Sequence, residues 1–287
     1  MSRVLIIGKG YVGSALYKHL QWYDHYHNNA HAMDWHDDSA DLYNDFNRLS
    51  PQTLEHYSDV ILLAGNSSVK SCHDLYGTFD ANVAAYVNLL HKLPYKTRLI
   101  YASSASVYGS NGTVPALEDR PFDLPANYYD MSKQMLDTIA SISGRNYIGL
   151  RFGTVCGHSP KPRHELIINS LVKSAKETGV MHVANIDSYR AVLGLGDLCR
   201  GVKAILDTPD APPGFYNMRS VEGSIYQLAK AVQRCLALRM TRPEIQFGPN
   251  SSTYSFTLNV DKFERTFDYK FTDTVADIVE GALKNLA

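Results

Sequence analysis

The sequence predicts an α/β fold built on a doubly wound parallel sheet, with a smaller C-terminal α/β lobe. Three observations carry this. Short, wholly apolar runs bounded by glycine, such as Val4-Leu5-Ile6-Ile7-Gly8, read as strands buried on both faces. These runs alternate with stretches of helical period. The first strand passes into its helix through glycines at positions 8, 10 and 13. Alternation at these lengths requires right-handed crossovers between parallel strands.

The elements follow in order. After the strand over residues 3–8, apolar Val12, Ala15, Leu16 and Leu20 give a helix over Tyr11–Leu20. Strands are expected near Ala32–Trp35, Val60–Gly65, Leu99–Ser103 and Tyr147–Phe152, with helices near Ala81–Leu93 and Tyr128–Ser143. Beyond residue 153 the texture changes. Ser159-Pro160-Lys161-Pro162-Arg163 and Asp210-Ala211-Pro212-Pro213-Gly214 are loops. Helices are expected near Glu165–Glu177, Leu198–Asp207 and Ile225–Leu238, and strands near Met181–Ala184 and Gly214–Met218. Asn259 is placed to cap a helix over Val260–Phe267, and Asp273–Leu286 reads as a last amphipathic helix. The expected division is a dinucleotide-binding domain over residues 1–153. Residues 154–287 form mainly a substrate-binding lobe, interleaved with the last strands of the sheet.

Composition narrows the partners. The 287 residues carry 28 Lys and Arg against 29 Asp and Glu, a formal net charge of −1. No basic excess points to nucleic acid or an anionic membrane surface. The longest apolar runs are strand-length, so no membrane span is expected. Met1-Ser2-Arg3 leads into a strand without the apolar region and cleavage site of a secretory leader. Cys72, Cys156, Cys199 and Cys235 lack C-x-x-C spacing, and read as reduced thiols of a cytoplasmic protein. His25, His27, His31 and His36 fit no metal-ligand spacing, and no metal is expected.

Gly8-Lys9-Gly10-Tyr11-Val12-Gly13 matches G-x-G-x-x-G between a strand and a helix. There it permits a tight turn and lets backbone approach a pyrophosphate at a helix N-terminus. Asp34 ends the second strand, where an acid bonds ribose hydroxyls and repels a 2′-phosphate. From Asp34 to Asn47 there are five aspartates and no Lys or Arg, which favours NAD over NADP. Tyr129 and Lys133 lie four apart, on one helix face, where an ammonium favours the phenolate of its neighbour. A serine of Ser103-Ser104-Ala105-Ser106 can hydrogen-bond the same substrate oxygen. Ser104 is preferred, because Ser103 and Ser106 face the other way if the strand stays extended.

These segments together resemble the extended short-chain dehydrogenase/reductase family, the nucleotide-sugar epimerases and dehydratases. The resemblance covers essentially the whole chain. It includes Ser-Ser-Ala-Ser-Val-Tyr-Gly at 103–109, Tyr-x-x-x-Lys at 129–133, Leu150-Arg151-Phe152-Gly153-Thr154-Val155-Cys156-Gly157, Tyr189-Arg190 through Asp197, and Gly214-Phe215-Tyr216-Asn217. It implies a Rossmann-type fold. It sets Asp45 and Phe46 against an adenine and Ala64 and Gly65 along the cofactor, with Asn82 opening the next helix. Lys133 would also hold the nicotinamide ribose. On the substrate side it implies Ser104, Ser106, Thr154 and Arg190, the arginine on a diphosphate. By analogy, the helices near 81–93 and 128–143 form a homodimer face. The chain departs from the family in three places. Ala105-Ser106 stand where dehydratases carry a Glu, which disfavours elimination. Thr154 stands where Asn is usual. Gly248–Ser255 lacks the usual second arginine. The implied activity is an NAD-dependent nucleotide-sugar epimerase working through a keto intermediate. A keto-sugar reductase and a non-catalytic dinucleotide sensor remain open at this stage.

Overall fold

The computed structural model describes residues 3–34, 36–251 and 253–286. The chain runs β1 (Val4–Ile7), α1 (Tyr11–Leu20), α2 (Asp24–His27), β2 (Ala30–Asp34), β3 (Leu42–Tyr43), α3 (Pro51–Leu54), β4 (Asp59–Leu62), α4 (Leu75–Thr78), α5 (Ala85–Lys92), β5 (Arg98–Ser104), α6 (Tyr128–Ile142) and β6 (Tyr147–Phe152). It continues through β7 (Thr154–Cys156), α7 (Ile167–Thr178), β8 (Val180–Val183), β9 (Tyr189–Gly194), α8 (Leu195–Leu206), β10 (Gly214–Met218), β11 (Val221–Ser224), α9 (Ile225–Ala237), β12 (Glu244–Phe247), α10 (Asp261–Thr266) and α11 (Val275–Lys284). Two compact units result. One comprises Met1–Val107, Phe122–Arg151 and Thr208–Tyr216; the other comprises Tyr108–Pro121, Phe152–Asp207 and Asn217–Ala287.

The main sheet has the order β10-β6-β5-β4-β1-β2-β3. The pairs β3–β2, β2–β1, β1–β4 and β4–β5 are parallel, with Val4 opposite Ala30 on one side and Asp59 on the other. The chain winds outward from β1 to β3, then crosses back to β4 and winds the other way. This is the Rossmann arrangement, and its switch point lies between β1 and β4. Every residue of β1 is buried, which explains its unbroken apolar run. Leu5, Ile7, Val60, Leu62 and Leu99 from the strands pack with Val83, Tyr86, Leu89, Leu136 and Ala140 from the helices.

Several boundaries differ from expectation. β2 begins at Ala30, and Trp35 lies outside the described residues. β4 stops at Leu62 because Leu63 and Ala64 both donate to the Ile7 carbonyl, pulling the chain off the ladder. The helix expected from Ala81 begins at Leu75, where Asp74 caps it by accepting the Gly77 N–H at 2.6 Å. It then passes through a π-helical segment, Phe79–Ala84, before α5.

The second unit holds the small sheet β11-β9-β7 and the parallel pair β12–β8. β9 runs parallel to β7 and antiparallel to β11. Helices α7, α9 and α11 enclose a core of Ile168, Leu171, Val172, Leu228, Val232, Ile278 and Val279. The strands β7, β9, β11 and β12 were not expected. β7 is three residues long, and β12 (Glu-Ile-Gln-Phe) is largely exposed, so neither shows a burial period. Asn259 does not cap α10. The cap position is Val260, and Asn259 instead accepts the Asp261 N–H at 2.9 Å in the preceding turn. Thr274 and Asp277 form a reciprocal capping box on α11. Among the described residues, no helix is long and apolar enough to cross a membrane.

Arg151 and Asp137 form an ion pair at 2.9 Å with side-chain exposures of 1% and 0%. Tyr101 donates to the other Asp137 oxygen at 2.9 Å, and the Arg151 guanidinium lies 4.2 Å from the Phe215 ring centroid. Burial pushes the Asp137 carboxyl up, and Arg151 opposes that shift. Removing one partner strands the other charge in the interior. We therefore expect Asp137→Ala to lose about 3–5 kcal/mol, read as a lowered urea midpoint. A midpoint near wild type would show that Arg151 finds water or another acceptor.

Candidate active site

The glycine turn after β1 is built from two internal requirements and one external one. Gly8 has φ +100°, and a Cβ there would lie 2.5 Å from the Ala64 backbone nitrogen. A Cβ on Gly13 would lie 1.9 Å from the Gly8 carbonyl oxygen. Both positions must be glycine for β1, β4 and α1 to meet. Gly10 differs, since a Cβ there would meet nothing within 4 Å. Among the described residues nothing forbids a Cβ at Gly10, so its absence fits an external group approaching the backbone. Gly10 caps α1 without a side-chain hydrogen bond, and the first turn carries no acid. A helix N-terminus without a side-chain cap suits an anion. Tyr11 opens α1 with its ring buried, and Val12 beside it is half-buried.

Asp34 ends β2 and turns back on the glycine segment. Its Oδ2 accepts the Lys9 N–H at 2.6 Å and its Oδ1 accepts the His36 N–H at 2.7 Å. The absence of cations from the 34–47 segment is a property of sequence but not of space. Lys9 reaches into that loop, donating to the Ser39 carbonyl and hydroxyl at 2.8 Å each. Asp45 caps the 3₁₀ turn Phe46–Arg48 by accepting the Asn47 N–H at 2.9 Å.

Phe46, Ala64, Asn82 and Lys133, four of the sequence-predicted positions, line one cleft with Tyr86 and Tyr101. The Asn82 amide is spent inside the protein. Its Oδ1 accepts the Asn66 N–H at 2.7 Å, and its Nδ2 donates to the Asn66 carbonyl and to Ser132 Oγ, both at 3.0 Å. Asn82 thereby fixes the Gly65–Asn66 backbone beside the cleft it lines. The π-helical turn sets Asn82 between β4 and α6, and such turns recur at functional positions.

Asn127 starts α6 two residues before Tyr129, accepting the Asp130 N–H at 3.0 Å. Lys133 follows one turn later and is 9% exposed. Its ammonium donates to the Ala102 carbonyl at 2.8 Å and lies 5.7 Å from the Tyr129 ring centroid. Burial pushes the Lys133 ammonium down from 10.5 to about 8, and the negative Asp137 one turn further on opposes that shift. Ser104 is the last residue of β5. Ser106 would face away only if the strand stayed extended; the strand instead ends, and a 3₁₀ turn over Ala105–Tyr108 brings Ser106 Oγ within 2.9 Å of Ser104 Oγ. Ser103 does point inward and is buried.

In the second unit, Thr154 opens β7 opposite Val192 and is half-buried. Arg190 on β9 donates to the Tyr254 carbonyl and to Thr253 Oγ1, and lies 5.3 Å from the Phe256 ring centroid. Burial pushes its guanidinium down to about 10. The Tyr101–Asp137–Arg151 cluster and the reach of Lys9 were missed at the sequence level. Lys9 stands inside the glycine motif, and only the folded loop reveals its target.

The cost of holding Lys133 charged is measurable. Its folded pKa lies below the free value, so the penalty is full below about pH 8 and disappears as pH rises through 10.5. Lys133→Met should therefore stabilise the protein near pH 7 by about 2–3 kcal/mol, a gain that shrinks toward pH 10. Urea midpoints at both pH values test this. A loss of stability, or a gain independent of pH, would contradict it.

The comparisons with known proteins follow the same outline. The model of the NAD dependent epimerase/dehydratase family matches residues 4–218, from the first residue of β1 to the last of β10. UDP-glucuronate 4-epimerase 2 of Arabidopsis thaliana is 26% identical over 238 residues, 75% of this chain and 55% of that protein. The chain thus spans about half the length of the plant relatives it matches. Protein CapI of Staphylococcus aureus is 24% identical over 323 aligned residues, 96% of this chain and 95% of that protein. The crystal structure of UDP-glucuronic acid 4-epimerase from Bacillus cereus, in complex with UDP-glucuronic acid and NAD, matches with a TM-score of 0.83 at 19% identity. That match covers 99% of this chain and 100% of the other, and a likeness at this identity speaks for the fold. With three quarters of its length inside the family model, the chain belongs to the NAD-dependent epimerase/dehydratase family.

Proposed function

We propose that this chain is an NAD-dependent epimerase of nucleotide-activated sugars, with UDP-glucuronate the first substrate to test. The observation that carries this reading is the convergence of Phe46, Ala64, Asn82 and Lys133 on one cleft, with Tyr129 beside the Lys133 ammonium. Bound NAD would supply a hydride acceptor for a carbinol carbon and return the hydride afterwards. The N-terminus of α1 at Gly10 would face its pyrophosphate, and Asp34 its adenosine ribose.

The chain's own groups divide the remaining work. The Lys133 ammonium favours the Tyr129 phenolate, which takes the proton of the substrate hydroxyl and later returns it. The paired hydroxyls of Ser104 and Ser106 supply a hydrogen bond to the oxygen as it becomes a carbonyl. With Ala105-Ser106 beside Ser104, no carboxylate stands there to take a proton from the carbon next to that carbonyl, which supports epimerisation over elimination. In the second unit, the half-buried Arg190 guanidinium supports an anionic substrate group such as a diphosphate.

Tyr129→Phe should lower turnover of UDP-glucuronate by about 10²–10⁴-fold while NAD affinity stays within about twofold. Gly10→Ala should fold normally and lose NAD binding. Turnover near wild type in the first variant would remove Tyr129 from the chemistry, and unchanged NAD affinity in the second would remove the glycine turn from the site.

A homodimer is the partner reading we favour. Leu75, Tyr76, Phe79 and Val87 leave an exposed apolar strip along the α4–α5 run. Sedimentation equilibrium should return twice the 32.0 kDa chain mass. A monomer at micromolar concentration, unchanged by Tyr76→Glu, would dismiss it.

A further inference from the structure

We propose that Lys9 is a coenzyme-positioning residue. Its side chain latches the glycine turn to the acidic loop after β2, so that Asp34 is set for an adenosine ribose before the dinucleotide arrives. The inference rests on the NAD-binding reading above and extends it to a residue that needs no contact with the ligand.

Lys9 acts on the loop from both ends. Its backbone N–H donates to Asp34 Oδ2 at 2.6 Å. Its ammonium donates to the Ser39 carbonyl and to Ser39 Oγ, at 2.8 Å each, and lies 3.7 Å from Asp37 Oδ2. The side chains of Lys9 and Asp37 are each only 12% exposed. Asp37 closes the arrangement by accepting from Ser39 N at 3.0 Å and Ser39 Oγ at 2.5 Å. The Lys9 ammonium also lies 5.5 Å from the Tyr17 ring centroid, and Tyr17 donates to Asp41 at 3.1 Å. Asp41 accepts the Ala32 N–H at 2.7 Å.

Two consequences follow. The loop carries Asp34, Asp37, Asp38, Asp41 and Asp45 within twelve positions. Their mutual repulsion opposes a fold that lays the loop against α1, and Lys9 counters it at the crowded end. The ammonium is also engaged by Ser39 and Asp37, so it is not presented as a ligand for a 2′-phosphate. A cation in the glycine motif therefore serves the NAD form of the site. A loop released by losing Lys9 would have to be ordered on binding, and that ordering weakens affinity.

The test is calorimetric titration of NAD and of NADP into the ligand-free chain. The variants are Lys9→Met, Lys9→Arg, Asp34→Asn and the Lys9→Met/Asp34→Asn double. Lys9→Met should weaken NAD by about tenfold and leave NADP no weaker, and Lys9→Arg should recover most of the loss. In the double variant the Lys9→Met effect should shrink to about twofold or less, because Lys9 works through Asp34. Asp37→Asn with Ser39→Ala cuts the same latch from the other side, so it should reproduce the loss if Lys9→Met folds poorly. The proposal is overturned if Lys9→Met binds NAD within twofold of wild type. It is also overturned if the loss falls on NADP alone, which would make the ammonium a phosphate ligand, or if the two losses add. A wild type that binds neither nucleotide would overturn the NAD reading itself, a result distinct from NAD binding that ignores Lys9.

Discussion

Lys133 keeps an ammonium away from bulk water, hydrogen-bonded to the Ala102 carbonyl, and much of the first unit is arranged around the cost of that charge. A buried ammonium without compensation gives up its proton. Here the compensation comes from a peptide dipole at the end of β5 and from Asp137 one helical turn along α6. Asp137 is itself fully buried, so it needs Arg151 and Tyr101, and Arg151 in turn sits against Phe215. The Lys133 charge is thus sustained by a relay of side chains from α6, β5 and β6. Arg151 belongs to the resemblance segment Leu150–Gly157 for a reason that its position in sequence does not disclose: it balances the acid that balances the lysine.

The switch in winding direction between β1 and β4 does comparable work at the other end of the cleft. Where adjacent strands leave the sheet in opposite directions, their connections part and a crevice opens at the C-terminal edge. Gly8 and Gly13 let α1 close tightly against that edge, and Gly10 leaves it uncovered. Asn82 then fixes the turn after β4 through Asn66, and holds α6 through Ser132. The turn after β4 and the start of α6 are therefore held by hydrogen bonds within the protein.

The first unit was largely legible because its signals are local. α1, β6 and β10 fall at the expected boundaries, each set by an apolar run with a glycine or a loop beside it. The site was legible where spacing on one element carries the chemistry, as with Tyr129 and Lys133 on α6. It was not legible where chemistry depends on contacts between distant segments. Which side Ser106 takes depends on whether β5 stays extended, and that is decided by a 3₁₀ turn with no sequence signal of its own. The role of Lys9 is hidden in sequence because its ammonium reaches the loop after Asp34 from 30 residues before Ser39. In the second unit, β7 and β12 are short or two-sided, and strand period is weakest in such segments.

Sequence identity near a quarter with a shared fold is what this division of labour should produce. The glycine turn, the Tyr-x-x-x-Lys spacing and the buried Asp137–Arg151 pair each constrain a few positions tightly, because a Cβ, a helical turn or an unpaired charge forbids alternatives. The residues between them need only supply apolar bulk of about the right size. Of the three places where this chain departs from the family pattern, Ala105-Ser106 lies beside Ser104, in the segment that carries the proposed chemistry, whereas Thr154 and the 248–255 segment without a cation lie in the second unit. A fold can therefore stay fixed while the activity grafted on it changes.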